Sequence, residues 1–132
     1  MNARLLALVM LATLVVGATV SGAAGNRAPD PEALKAYALK LCLDSNYAKV
    51  GTLGPGAEKD RSYLLLQYAL DNSRPKARQR LESFVKTTTA DYYLAEVPMK
   101  DEGNVGPFNK IFAQCMDFYH SPALKKFLAR DR

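Results

Sequence analysis

The chain of 132 residues has no tryptophan, one histidine and only two cysteines. With so few ligands, and no thiol pair at ligand spacing, a structural zinc site is excluded. Phosphate-cradling glycine motifs and the G-x-S-x-G nucleophile turn are also missing. No stretch alternates apolar and polar residues over strand length, and no internal repeat is evident. These absences point away from an enzyme, and from a cofactor or metal, and leave a binding role by elimination. Acidic residues are in modest deficit, 13 against 18 Lys and Arg, for a formal charge of +5. That surplus helps solubility and attraction to acidic surfaces but falls short of a nucleic-acid footprint.

An export signal is what the N-terminus does contain. Asn2-Ala3-Arg4 is a short basic lead, Leu5–Val20 is an apolar run, and Ser21-Gly22-Ala23-Ala24-Gly25 supplies small residues for cleavage after Ala23 or Ala24. The run is shorter than the roughly 18 residues of a membrane span. The expectation is a signal peptide over residues 1–24 and one helical domain over 25–132, placed in the periplasm with no stable membrane insertion. Its length allows one core of adequate size, of the kind that exported domains often cross-link.

The rest of the chain reads as helices. Asp30-Pro31-Glu32 is a helix start, with a cap, a proline at the first helical position and an acid in the first turn. Leu34, Tyr37, Ala38, Leu41, Cys42 and Ser45 then form a stripe on a helix reaching about residue 49, with Lys35, Lys40 and Asp44 toward water. After Gly51, Gly54, Pro55 and Gly56, a second helix is expected over residues 57–71, with Leu64, Leu65, Tyr68 and Ala69 inward. A third over residues 75–88 carries Ala77, Leu81, Phe84, Val85 and Thr88, and should fray in the β-branched Thr87-Thr88-Thr89 run. Residues 91–94 could add a helical turn. A fourth helix over residues 108–119 presents Phe108, Ile111, Phe112, Cys115, Met116 and Tyr119, and Ser121-Pro122 opens a last one with Leu124, Phe127 and Leu128 inward. The fold class predicted is all-α, a small bundle of four to five helices.

Cys42 and Cys115 both fall on apolar helix faces. In the oxidising compartment that the export signal implies, a disulfide between them is expected, formed if their Cα atoms come within about 7 Å, for a gain of roughly 4 kcal/mol; two unpaired core thiols are the alternative. A catalytic thiol needs a base beside it, and the only histidine is His120. Five positions from Cys115, it is rotated by about 140° on a helix and cannot share a face with it. His120 fits better as a helix C-terminal residue.

One segment asks for a function. Glu96 to Pro107 is a twelve-residue connection between helices, where about 2–8 residues are usual. Pro98 and Pro107 stiffen its ends, and Gly103 and Gly106 allow a sharp tip. Asp101 and Glu102 share one exposed setting and make a poor acid–base pair. Arg74, Lys76, Arg78 and Arg80 form a basic region at the start of the third helix, and Tyr92-Tyr93 are core residues or interface anchors.

The segment Phe112-Ala113-Gln114-Cys115-Met116-Asp117-Phe118-Tyr119-His120-Ser121-Pro122-Ala123-Leu124 resembles the C-terminal signature of the amidase immunity proteins of bacterial type VI secretion systems. Leu39-Lys40-Leu41-Cys42 and Tyr47 are similar to that family's cysteine-bearing first helix, and the likeness extends over residues 30–128. The resemblance implies a periplasmic, helical, homodimeric inhibitor of a papain-like Cys–His peptidoglycan amidase. A protruding loop before the penultimate helix plugs the toxin's groove, and a helix of the second subunit assists. By position, the loop here is Glu96–Pro107, with Met99, Lys100, Asp101, Glu102, Gly103 and Asn104 as partner-binding residues. The assisting helix is the third, with Arg74, Lys76 and Arg78 as secondary contacts. A helical periplasmic adaptor for another protein or small ligand is the alternative, and a small enzyme using Cys42 or Cys115 a more distant one.

Overall fold

The structure is a computed structural model and describes residues 28–97 and 108–130, apart from the Glu58 side chain. The signal segment and residues 99–104 therefore lie outside the described residues. Helix α1 spans Pro31–Lys49, α2 Pro55–Glu58, α3 Leu64–Ser73 and α4 Ala77–Thr88. A 3-10 turn at Tyr92–Leu94 leads to β1, Glu96–Val97, and the chain returns as β2, Phe108–Asn109, before α5 Ile111–Tyr119 and α6 Pro122–Arg130. The fold is mainly α, a small helical bundle, as the periodicity predicts.

Helix α1 is the axis of this bundle. Asp30 caps it by accepting the Glu32 N–H, with Pro31 next in the chain. Its inner face buries Leu34, Tyr37, Ala38, Cys42 and Asn46, the three-to-four spacing of a helix packed on one side. It lies against α5, which buries Ile111, Cys115 and Phe118, and against α4, which buries Ala77, Leu81 and Val85. Leu124 and Leu128 of α6 close the core. Phe84 stacks on Phe127 with ring centroids 4.2 Å apart and meets Phe118 at 6.1 Å, arrangements that favour aromatic pairs beyond area alone.

Several local expectations are corrected. The second helix is two, because Asp60 accepts both the Ser62 N–H (2.8 Å) and the Ser62 hydroxyl (2.5 Å), a side-chain turn that competes with helix continuation. Those bonds from Ser62 hold the Asp60 carboxyl below its usual range. Tyr63, Leu66 and Leu70 of this region meet the core, whereas Leu65 is 82% exposed and Tyr68 and Ala69 also face water. The apolar positions are dense enough there to allow two stripes, and packing against α4 selects the other. Thr89 rather than Thr88 is buried, and Phe118 rather than Tyr119 is the inward residue at the end of α5. Phe108 is in a strand, and with Phe112 it is exposed. Lys40 and Asp44 pair with each other while half-buried, instead of facing water separately.

Cys42 and Cys115 form a disulfide, with Cα atoms 5.8 Å apart and a sequence separation of 73. Closing so long a loop restricts the unfolded chain by about 4 kcal/mol in the chain-entropy description. Both cysteines are fully buried, so the bond also pins the contact between α1 and α5 at its centre. Replacing both by serine should lower the melting temperature by on the order of 15 °C or more. A thermal melt of the double variant that overlays the parent would show that the bridge contributes nothing to stability.

Candidate functional site

A buried disulfide cysteine and a buried amide follow one another on α1, beside the root of the long connection. Cys42 and Asn46 are four residues apart and so lie on one face, one turn apart. Asn46 is fully buried (0% exposed). Its Nδ2 donates to the Cys42 carbonyl (3.0 Å) and to the Thr89 carbonyl (3.1 Å), while its Oδ1 accepts the Tyr93 N–H (3.0 Å). One side chain thus joins α1, the end of α4 and the 3-10 turn. Thr89 is buried beside it and donates its hydroxyl to the Val85 carbonyl at 2.9 Å, the local bond by which a threonine at a helix end satisfies itself. Lys49 donates to the Ala90 carbonyl and stands 4.5 Å from the Tyr93 ring centre, so the same turn is also held from outside.

From this anchorage the chain runs into the ladder. Leu94 N–H donates to Asp91 (3.0 Å) and Ala95 N–H to Tyr92 (3.3 Å), closing the turn. Lys110 N–H then donates to the Ala95 carbonyl at 2.9 Å, and Glu96 faces Asn109 while Val97 faces Phe108 in antiparallel register. Asn109 Oδ1 accepts the Ile111 N–H at 3.3 Å where α5 begins, and α5 carries Cys115. Both ends of the connection therefore reach back to the Cys42–Asn46 turn of α1, one through the amide and the other through the disulfide.

The surroundings of this root expose large apolar side chains beside the exposed Glu96, Asn109 and Lys110. Leu94 (61% exposed), Phe108 (41%) and Phe112 (59%) all lie on the elements that meet at it. Tyr92 is half-buried, and its hydroxyl is pushed above its usual range by burial and then by the Asp117 carboxylate. Met99, Lys100, Asp101, Glu102, Gly103 and Asn104 lie outside the described residues, so the structure bears on their attachment only. At the start of α4, Arg78 is engaged by Asp71 (2.9 Å) and Glu82 (3.8 Å). Lys76 is exposed in the left-handed region at φ 61° and Arg74 is half-buried. His120 ends α5 as expected, exposed and edge-on to Tyr119 at 4.9 Å. Neither cysteine has a free thiol, so no nucleophile for a Cys–His pair is available. Among the described residues no group of three or more His, Cys, Asp or Glu side chains is placed to hold a metal ion.

Asn46 and Thr89 were not among the residues that the sequence reading singles out. The signal was present for Asn46, a polar residue continuing the Leu34–Cys42 stripe. Thr89 offered none, because it stands in a run of three identical residues.

A second polar cluster links α1, α3 and α4. Tyr37 is nearly fully buried (2% exposed); its hydroxyl donates to Glu82 (2.8 Å) and accepts from Gln67 Nε2 (2.9 Å). These groups form part of the wall of a cavity of about 250 Å³ also lined by Lys40, Asp44 and Asp60. Burial, then the bond to Glu82, push the Tyr37 hydroxyl up to about 12. Comparison of the chain with protein-family models, with curated proteins and with solved structures finds no match.

The Tyr37 shift carries a pH dependence. A tyrosine whose proton is held more tightly in the folded state stabilises the fold below the unfolded value of about 10, and that contribution is lost as pH rises to about 12. Denaturant midpoints measured at pH 9 and pH 11.5 should therefore fall more for the parent than for Tyr37→Phe. Equal losses in the two proteins would refute the assignment.

Proposed function

We propose that this chain is a periplasmic immunity protein that inhibits an injected peptidoglycan amidase by lodging residues 98–107 in its catalytic groove. The observation that carries this reading is the root of the connection. Ten residues, 98–107, separate two strand ends that are paired in a ladder, so they leave and rejoin the bundle at one place. That place is tied to the core and bordered by exposed Leu94, Phe108 and Phe112. The resemblance of residues 112–124 to the type VI amidase immunity signature supports the same reading and supplies the kind of target.

The mechanism is occlusion. A Cys–His amidase needs its thiolate and imidazole free and its groove open to a peptide carbonyl. A loop carrying Lys100, Asp101, Glu102 and Asn104 offers donors and acceptors to those catalytic groups from a covalently closed scaffold. The exposed apolar residues at the root would meet the rim of the groove, where large apolar and aromatic side chains serve as anchors. Mounting the loop in advance lowers the ordering cost of association, which raises affinity without added area. Secondary contacts would come from the start of α4 in the second copy of a homodimer. There Lys76 and Arg74 are better placed than Arg78, whose guanidinium is already engaged by Asp71 and Glu82. This role requires no catalysis by the chain itself, and no cofactor.

Removing residues 99–104 tests this directly. The shortened protein should keep its melting temperature within a few degrees, because the deletion touches no described core residue. It should also lose inhibition of its cognate peptidoglycan hydrolase. A shortened protein that still neutralises that hydrolase would overturn the plug mechanism.

A further inference from the structure

We infer that Asn46 is a positioning residue for the long connection, fixing the direction in which its ladder leaves the bundle. The disulfide reaches only the returning strand, through α5. The outgoing strand has no covalent tie; it follows a three-residue 3-10 turn, Tyr92–Leu94, too short to hold its own orientation. Lys49 holds the turn from outside and the Tyr92 N–H meets the Thr89 carbonyl at 3.3 Å, but the group that ties it to α1 from within the core is the Asn46 amide. Its oxygen takes the Tyr93 N–H while its nitrogen holds the Thr89 carbonyl, the residue at which α4 ends. An amide is suited to this because it offers an acceptor and two donors from one rigid plane. An apolar residue in the same space would fill it but leave the Tyr93 N–H without its partner, and would leave the Thr89 carbonyl only the Tyr92 N–H at 3.3 Å. Cys42 and Asn46 are thus two mounts one turn apart, one for each strand of the ladder, and a change at either is transmitted to the ladder as a whole.

This inference concerns the free protein, and it rests on the proposed function only for its effect on inhibition. The test is amide hydrogen exchange on the disulfide-bonded protein, comparing Asn46→Ala with Leu128→Ala, a core truncation on α6 remote in sequence from the ladder, at matched global stability. The informative amides are Ala95 and Lys110, whose bonds Asn46 does not touch. They should exchange at least tenfold faster in Asn46→Ala than in Leu128→Ala. If they speed up no more than the amides of α1 and α4 do, Asn46 is a core residue and the inference is wrong. Should Asn46→Ala not fold, the parent protein answers alone in low urea. Tyr93 and Lys110 amides should then open together, with one denaturant slope, below the global transition. Lys110 opening while Tyr93 stays closed would refute the coupling. In an amidase assay the inhibitory concentration should rise at least tenfold for Asn46→Ala over Leu128→Ala. A parent protein that inhibits no amidase would count against the proposed function and leave the exchange result standing.

Discussion

One turn of α1, from Cys42 to Asn46, carries both a covalent bond to α5 and a buried amide shared with α4 and the 3-10 turn, and the two ends of the long connection are held through it. The two devices work by different physics. The disulfide acts mostly by denying conformations to the unfolded chain, whereas the amide acts in the folded state, where leaving the Tyr93 N–H unpaired would cost about 1–3 kcal/mol. Because they sit on consecutive turns of one helix face, they cannot shift independently.

The energetic setting makes that arrangement consequential. A domain of this size has a total margin of about 5–15 kcal/mol, so a bridge contributing about 4 is a large part of it. The remainder is ordinary packing: α1 against α4 and α5, with the Phe84, Phe118 and Phe127 rings filling the space beside α6. The other buried polar cluster, Tyr37 with Glu82 and Gln67, sits among α1, α3 and α4 and does for those helices what Asn46 does for the ladder. It specifies register through satisfied hydrogen bonds in a region where desolvation makes an unsatisfied one costly. The contrast in outward faces follows. Beside the Tyr37 cluster the surface is ionic, with Lys40 paired to Asp44 and near Asp60. Beside the ladder it leaves three large apolar side chains, Leu94, Phe108 and Phe112, uncovered among polar ones.

An inhibitor built this way would separate two requirements that conflict in a single surface. The segment that meets the target must be variable and polar enough to match a catalytic groove, while its attachment must be rigid enough that binding does not have to order it. Here the attachment is held by Cys42, Asn46 and Thr89, none of which needs to touch a target. Residues 98–107 are then free to carry specificity.

Much of the bundle was legible from residue order. The Asp30-Pro31-Glu32 start, the stripe from Leu34 to Cys42, the end of α4 in the threonine run and the inward Leu124, Phe127 and Leu128 all follow from capping, periodicity and propensity, which act over a few residues. The pairing of Cys42 with Cys115 was expected from their apolar helix faces and the export signal, although only the approach of α1 to α5 brings the Cα atoms to 5.8 Å. The orientation of α3 was misread, because Leu64, Leu65, Leu66 and Leu70 permit two apolar stripes and the neighbour that picks one lies elsewhere in the chain. The mounting of the long connection was hidden as well. Its length and prolines marked it, yet the two-residue ladder is too short to leave a periodic signal, and the bonds from Asn46 to Thr89 and Tyr93 span more than forty positions. Short-range chemistry made the helices; contacts distant in sequence chose which faces they bury and where the connection is held.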